Sequence, residues 1–280
     1  MAPKISVSIN FLKRLKLYKT EKPFRLYIGQ PVDFPDAPIT NVETEPRAGI
    51  ELSDIRGEEE LYSLETHGFR FIKHDQSFSA FTDARVVEEQ YLPEVEAIIR
   101  NNVPGANKVV VFNWRLREQM EQSKRDPNIL VSPLELQEPT FALAPSQMVH
   151  TAIKLTKDAQ DATEYTLLKR VRKHLGEEAK ELLKGRVQII NFWRPIEYTI
   201  YNWPLVLCDG RTSPVEKLIA VDQVGRRFVG DIYYAPYDPS FEWYYQSAMS
   251  KQEGVIFKNW DTSLSTQSRS VPSVKNWIGD

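Results

Sequence analysis

Apolar and polar residues alternate at the start of the chain, where Ile5, Val7 and Ile9 interleave with Ser6, Ser8 and Asn10. A period of two predicts a half-buried β-strand. Residues 20–50, with Pro23, Pro31, Pro35, Pro38 and Pro46, predict an extended surface wrap. Glu51–Ile55 and Gly68–Lys73 predict two strands joined by an acidic turn. Val86, Val87, Tyr91, Val95, Ile98 and Ile99 recur at helical spacing, so Asp83–Asn101 predicts an amphipathic helix interrupted at Pro93. Val109–Asn113 reads as the next strand, Arg115–Pro145 as a connector, and Asp161–Lys184 as one or two helices closed by Gly185.

Two later segments carry the strongest strand signal. Val187, Ile189, Phe192 and Trp193 form a branched and aromatic run stopped by Pro195, which predicts the central strand. Leu205–Cys208 repeats that signature. Leu218–Asp222, Phe228–Tyr234, Glu242–Gln246 and Gly254–Trp260 follow at strand-like spacing and predict a sandwich or jelly roll.

Composition narrows the function classes. A net charge of −2 gives no basic excess for nucleic acid, and no run of about 18 apolar residues is present to span a bilayer. The lone cysteine, Cys208, excludes an intramolecular disulfide, and together with a start lacking an apolar leader it predicts a cytoplasmic protein. Aromatics at 11% suit either a broad apolar pocket or plain core. Serine-hydrolase elbow, P-loop, dinucleotide and CxxC motifs are missing.

DIRG at Asp54–Gly57, HGFRFIKH at His67–His74, YLPEVE at Tyr91–Glu96, KGRVQIINFWRP, WPLVLCD, FEWYY and FKNWD follow in order along nearly the whole chain. Together they resemble the fungal gibberellin-desaturase-like family of tailoring enzymes, related to the iron and 2-oxoglutarate dependent oxygenases. The resemblance implies a β-rich α+β fold with a double-stranded β-helix (jelly roll, cupin-like) core flanked by helices. It also implies one domain over 1–280, with N-terminal strands and wrap to about 148 and the core from about 149.

In such oxygenases a His-x-Asp and a distant His bind Fe(II). Here the matching segments read His150-Thr151-Ala152 and Pro272-Ser273, so one imidazole remains, and His67, His74 and His174 lie elsewhere in the pattern. That departure leads to an expectation of no metal and no cofactor. The expected function is a non-oxidative cyclase or isomerase of fungal natural-product biosynthesis, of which a Diels–Alder type pericyclase is one form, folding an apolar polyketide- or terpenoid-like substrate. An active oxygenase with unusual ligands and a non-catalytic binding protein are the alternatives; a homodimer is left open.

Cyclisation needs shape and one or two polar contacts on a carbonyl. The expected catalytic residues are therefore His150 as acid, base or donor, Arg194 and Lys258 as cations and Asn191 as an orienting amide. Trp193, Trp243 and Tyr244 are expected to wall the substrate, with Lys154 and Asp209 nearby. Each has a structural alternative: an Arg194–Asp209 bridge, a surface Lys258, aromatics as packing.

Overall fold

The structure, a computed structural model, describes residues 4–27, 36–118, 139–140, 143, 148–151, 171–225, 228–263 and 271–274. Its strands are β1 (Lys4–Leu12), β2 (Phe24–Leu26), β3 (Thr44–Asp54), β4 (Phe69–Lys73), β5 (His150–Thr151), β6 (Gln188–Trp193), β7 (Leu205–Cys208), β8 (Ile219–Gly225), β9 (Phe228–Tyr234), β10 (Trp243–Tyr245), β11 (Glu253–Asp261) and β12 (Val271–Val274). They form a five-stranded sheet in the order β1-β3-β10-β7-β12, a three-stranded sheet β4-β11-β6 and a four-stranded sheet β2-β8-β9-β5. Helices are few: α1 (Ala84–Val86) runs through a π-turn (Val87–Tyr91) into α2 (Leu92–Asn102), and α3 (Ala179–Leu182) is short.

The five- and three-stranded sheets face each other. Leu205 and Leu207 of β7 meet Phe69 and Phe71 of β4, Val255 and Phe257 of β11 and the half-buried Trp193 of β6. Residues two apart on a strand share a face, and this periodicity sends Val206, Cys208, Trp243 and Tyr245 to a second core with Ile9 and Phe11 of β1 and Leu52 of β3. Helix α2 covers the other side of the three-stranded sheet, with Val95 and Ile98 on Ile72 and Ile256. Burying an aliphatic side chain of this size contributes roughly 1.5–3 kcal/mol. The five- and four-stranded sheets meet at β1, where Asn10 bridges to Met148 and the Leu12 amide donates to the Ala235 carbonyl at 3.0 Å. The result is a β-rich body of curled sheets.

Several expectations hold. The alternating start is β1, the helix at Asp83–Asn101 is α1 to α2 with Pro93 in the first turn of α2, and the C-terminal strand series is β8 to β11. Others are corrected. The wrap ends early, because Thr44–Asp54 is one long strand paired antiparallel with β1. The two strands expected at Glu51–Ile55 and Gly68–Lys73 are present, as the end of β3 and as β4, and they belong to different sheets. Val109–Asn113 forms no strand, although Val109 and Val111 still pack on the α2 core. The central strand of its sheet is β11, buried at every position, and β6 lies at the edge. Residues 161–170 and most of 264–280 lie outside the described residues.

Candidate functional site

β5 is two residues long and is held from both sides. His150 pairs with Tyr234 and Thr151 with Tyr233 of β9, while the Val149 amide donates to Asn10 of β1 at 3.3 Å. β12 runs close beside β5, so the two segments that the family pattern assigns to ligand binding are spatial neighbours.

His150 Nδ1 lies 2.8 Å from the Met148 carbonyl oxygen, which can only accept. Nδ1 therefore carries the hydrogen and the lone pair is on Nε2. Burial lowers the imidazole pKa below its ordinary value; the Met148 carbonyl opposes this and the charge of Arg117 adds to it. A neutral imidazole whose Nδ1–H is fixed by a backbone carbonyl is the state in which histidine binds a metal.

Thr151 projects from the opposite face of β5 and its hydroxyl donates to Asn259 Oδ1 on β11 at 3.5 Å. His150 therefore faces Tyr234, whose ring is edge-on at 6.3 Å, and it is Thr151 that faces the three-stranded sheet. On that sheet Asn191 stands opposite Phe257 and Trp193 opposite Val255, so the amide and the indole share the face that looks toward β7. Asn191 is exposed there and Trp193 half-buried.

The remaining expected site residues serve the frame. Arg194 is buried, and its Nη2 donates to the carbonyls of His74 and Lys251, both at 2.7 Å, tying two loops together; its partner is not Asp209. Lys258 is 0% exposed, with Nζ donating to Asp261 Oδ2 at 2.8 Å and 3.7 Å from Glu65. Asp209 is also 0% exposed and anchors its own turn by accepting from the Arg211 amide at 2.8 Å and from the guanidinium. Trp243 packs in the core beside Phe11. The Tyr244 hydroxyl donates to Glu242 at 3.1 Å, and its ring lies 5.1 Å from Tyr62. Lys154 lies outside the described residues.

Asn191 and Trp193 are thus brought onto one face, and Arg194, Lys258 and Asp209 are placed elsewhere. Sequence reading missed Asn259 and Thr151. The available signal was the polar pair Lys258-Asn259 inside the mostly apolar run Val255–Trp260. A separate groove of about 380 Å³ lies between α2 and the segment carrying Phe112 and Trp114, on the helix-covered side of the sheet.

A family model described as "YDMC: Oxidoreductase/YMDC permease-like domain" matches residues 9–274. An α-ketoglutarate-dependent dioxygenase of Talaromyces stipitatus is 27% identical over 219 residues, covering 76% of this chain and 71% of the relative. A hydroxylase/desaturase of Hormonema carpetanum is 28% identical over 234 residues, covering 80% and 75%. The chain belongs to the family that this model describes, the oxidoreductase/YMDC permease-like domain. A solved iron and α-ketoglutarate-dependent endoperoxidase superposes with a TM-score of 0.78 at 21% identity, covering 99% of this chain and 91% of that one, which shows the shared fold.

These comparisons overturn the expected metal-free cyclase or isomerase and favour the alternative of an active oxygenase: the relatives are named as dioxygenases and hydroxylase/desaturases, and the protein is an enzyme. Among the described residues no group of three or more His, Cys, Asp or Glu is placed to hold a metal ion. The described residues fit one metal ligand, His150, and do not make up a complete set; Ala152 offers only a methyl group. No helix among the described residues is long and apolar enough to cross a membrane.

Proposed function

We propose that this family member is an oxygenase of the iron and 2-oxoglutarate type acting on an apolar small molecule of fungal secondary metabolism. The core is read as a double-stranded β-helix within one domain, wrapped by the N-terminal strands. The observation that carries the reading is the family match across 9–274, with His150 kept in the protonation state of a metal ligand. When bound, iron with 2-oxoglutarate supplies the oxidising chemistry.

This chain's residues supply binding and exclusion of water. His150 Nε2 offers the lone pair, and Met148 fixes the tautomer. Trp193 offers an apolar wall and Asn191 a polar edge on the face of β6 that looks toward β7, whereas the His150 imidazole faces Tyr234 of β9. Arg194, Lys258 and Asp209 hold loops and strand ends of the frame.

The test is anaerobic reconstitution with Fe(II), followed by metal analysis and measurement of succinate formed from 2-oxoglutarate under air. Bound iron and succinate formation are expected, with both lost in His150→Ala at an unchanged melting temperature. A wild-type protein that retains no iron and forms no succinate overturns the proposal.

A further inference from the structure

Glu88, Leu92 and Glu96 recur at a spacing of four through the π-turn and α2, which places them along one face of the helix. All three line the groove of about 380 Å³, and its opposite wall is the segment carrying Val111, Phe112 and Trp114. Each carboxylate is drawn across by a neutral donor of that wall. Trp114 Nε1–H donates to Glu88 Oε1 at 3.3 Å, and the Val111 amide donates to Glu96 Oε1 at 3.5 Å. Neighbouring acids have cations, in the pairs Arg85–Glu89 at 3.9 Å, Arg194–Glu94 at 3.9 Å and Lys108–Glu178 at 2.9 Å. Among the described residues no lysine or arginine forms such a pair with Glu88 or Glu96, and none lines the groove. Between the two carboxylates the lining is mostly apolar, and Phe112 is 36% exposed there.

At a helical rise of 1.5 Å per residue, Glu88 and Glu96 stand roughly 12 Å apart along the axis. We propose that the groove binds a linear diammonium ion, the chemical class of the aliphatic polyamines. One ammonium seats on Glu88 beside the Trp114 indole, where the carboxylate and the ring both attract it, and the other seats on Glu96. The methylene chain lies along Leu92, Val111 and Phe112, covering apolar surface otherwise left to water. The two charges select for length: a much shorter diammonium reaches one carboxylate only, and a neutral chain brings no charge to either. The groove lies on the side of the three-stranded sheet that faces α2, away from β7. The inference is therefore independent of the oxygenase reading and needs neither iron nor 2-oxoglutarate.

Full-length protein is titrated, by calorimetry and tryptophan fluorescence, with 1,8-diaminooctane, whose extended length suits the span, and separately with 1,3-diaminopropane, octylamine and 1,8-octanediol. The long diamine is expected to bind about tenfold more tightly than each of the other three, and to weaken as salt is added. Glu88→Gln and Glu96→Gln are each expected to lower its affinity about tenfold, to the level of octylamine, at an unchanged melting temperature. Three results overturn the inference: equal affinity for the long diamine and octylamine, wild-type affinity in the Glu88→Gln, Glu96→Gln double variant, or no binding of the long diamine at millimolar concentration. The comparison of probes uses the wild-type protein, so it decides the matter where a variant fails to fold. A protein that retains no iron and forms no succinate removes the oxygenase reading and leaves this result untouched.

Discussion

Asp261 is the residue on which most polar groups converge. Its side chain is fully enclosed and accepts from Arg186 at 2.6 and 2.9 Å, from Lys258 at 2.8 Å, from Gln188 at 3.0 Å and from the Ser263 amide at 2.9 Å. Burial alone raises a carboxyl pKa, but the Arg186 and Lys258 hydrogen bonds outweigh it and hold Asp261 well below the usual carboxylate range. Removing one member of a buried pair leaves the other charge stranded, so Asp261→Asn is expected to cost about 3–5 kcal/mol in urea unfolding. The sign with pH follows: because the folded-state value is depressed, the contribution is complete above the unfolded carboxyl value and is lost as pH falls below about 4. Cys208 is the opposite case. Burial pushes its thiol up to about 12, so it should resist a thiol reagent at pH 8 in the native state and react on unfolding. For His150 burial depresses the imidazole value, so iron retention is expected to persist to a lower pH than a freely exposed histidine ligand would allow, as read by metal analysis after desalting across a pH series. The sequence marked Lys258, Asp209 and Arg194 as polar groups in need of partners. The local partners, Asp261 for Lys258 and Arg211 for Asp209, lie within three residues, whereas Glu65 beside Lys258 and the His74 carbonyl on Arg194 come from segments more than a hundred residues away, which the sequence could not name.

Single elements were more legible than their neighbours. The alternation of β1, the buried face of α2 and the strand series β7 to β11 are local patterns, and all were read from the chain. Position within a sheet is not local: the aromatic β6 looked central, yet β11 took that place because it pairs with both β4 and β6. Val109–Val111 has strand composition but finds no partner strand, so its side chains are spent on the α2 core. Gly254 shows what close pairing demands. A Cβ there would overlap the Phe192 ring, so Gly254→Ala is expected to cost roughly 1–3 kcal/mol, measured by chemical denaturation. At the start of α1 the Asp83 carboxylate accepts from the Arg85 amide at 3.0 Å and the Val86 amide at 3.2 Å, and Asp83→Ala should cost about 1 kcal/mol.

At the scale of the whole molecule, three curled sheets enclose separate cores, and the candidate site lies where the strands of different sheets meet. The family pattern located His150 and the segment of β12 that runs beside it, which no periodicity argument would have brought together. Its expectation of a metal-free cyclase is set aside by the likeness that runs along most of the chain to relatives named as dioxygenases and hydroxylase/desaturases.

The handover at Asn10 and Leu12 makes β1 a seam stitched to two fabrics at once: one edge is sewn to β3 along its whole length, and its end also to the pieces that bear Met148 and Ala235. Unpicking it would free the segment of Val149 and His150 from one flank without touching His150 itself. A chain starting after Leu12 should therefore be cleaved by trypsin far faster than the intact protein, with early cuts clustering around the unfastened hem.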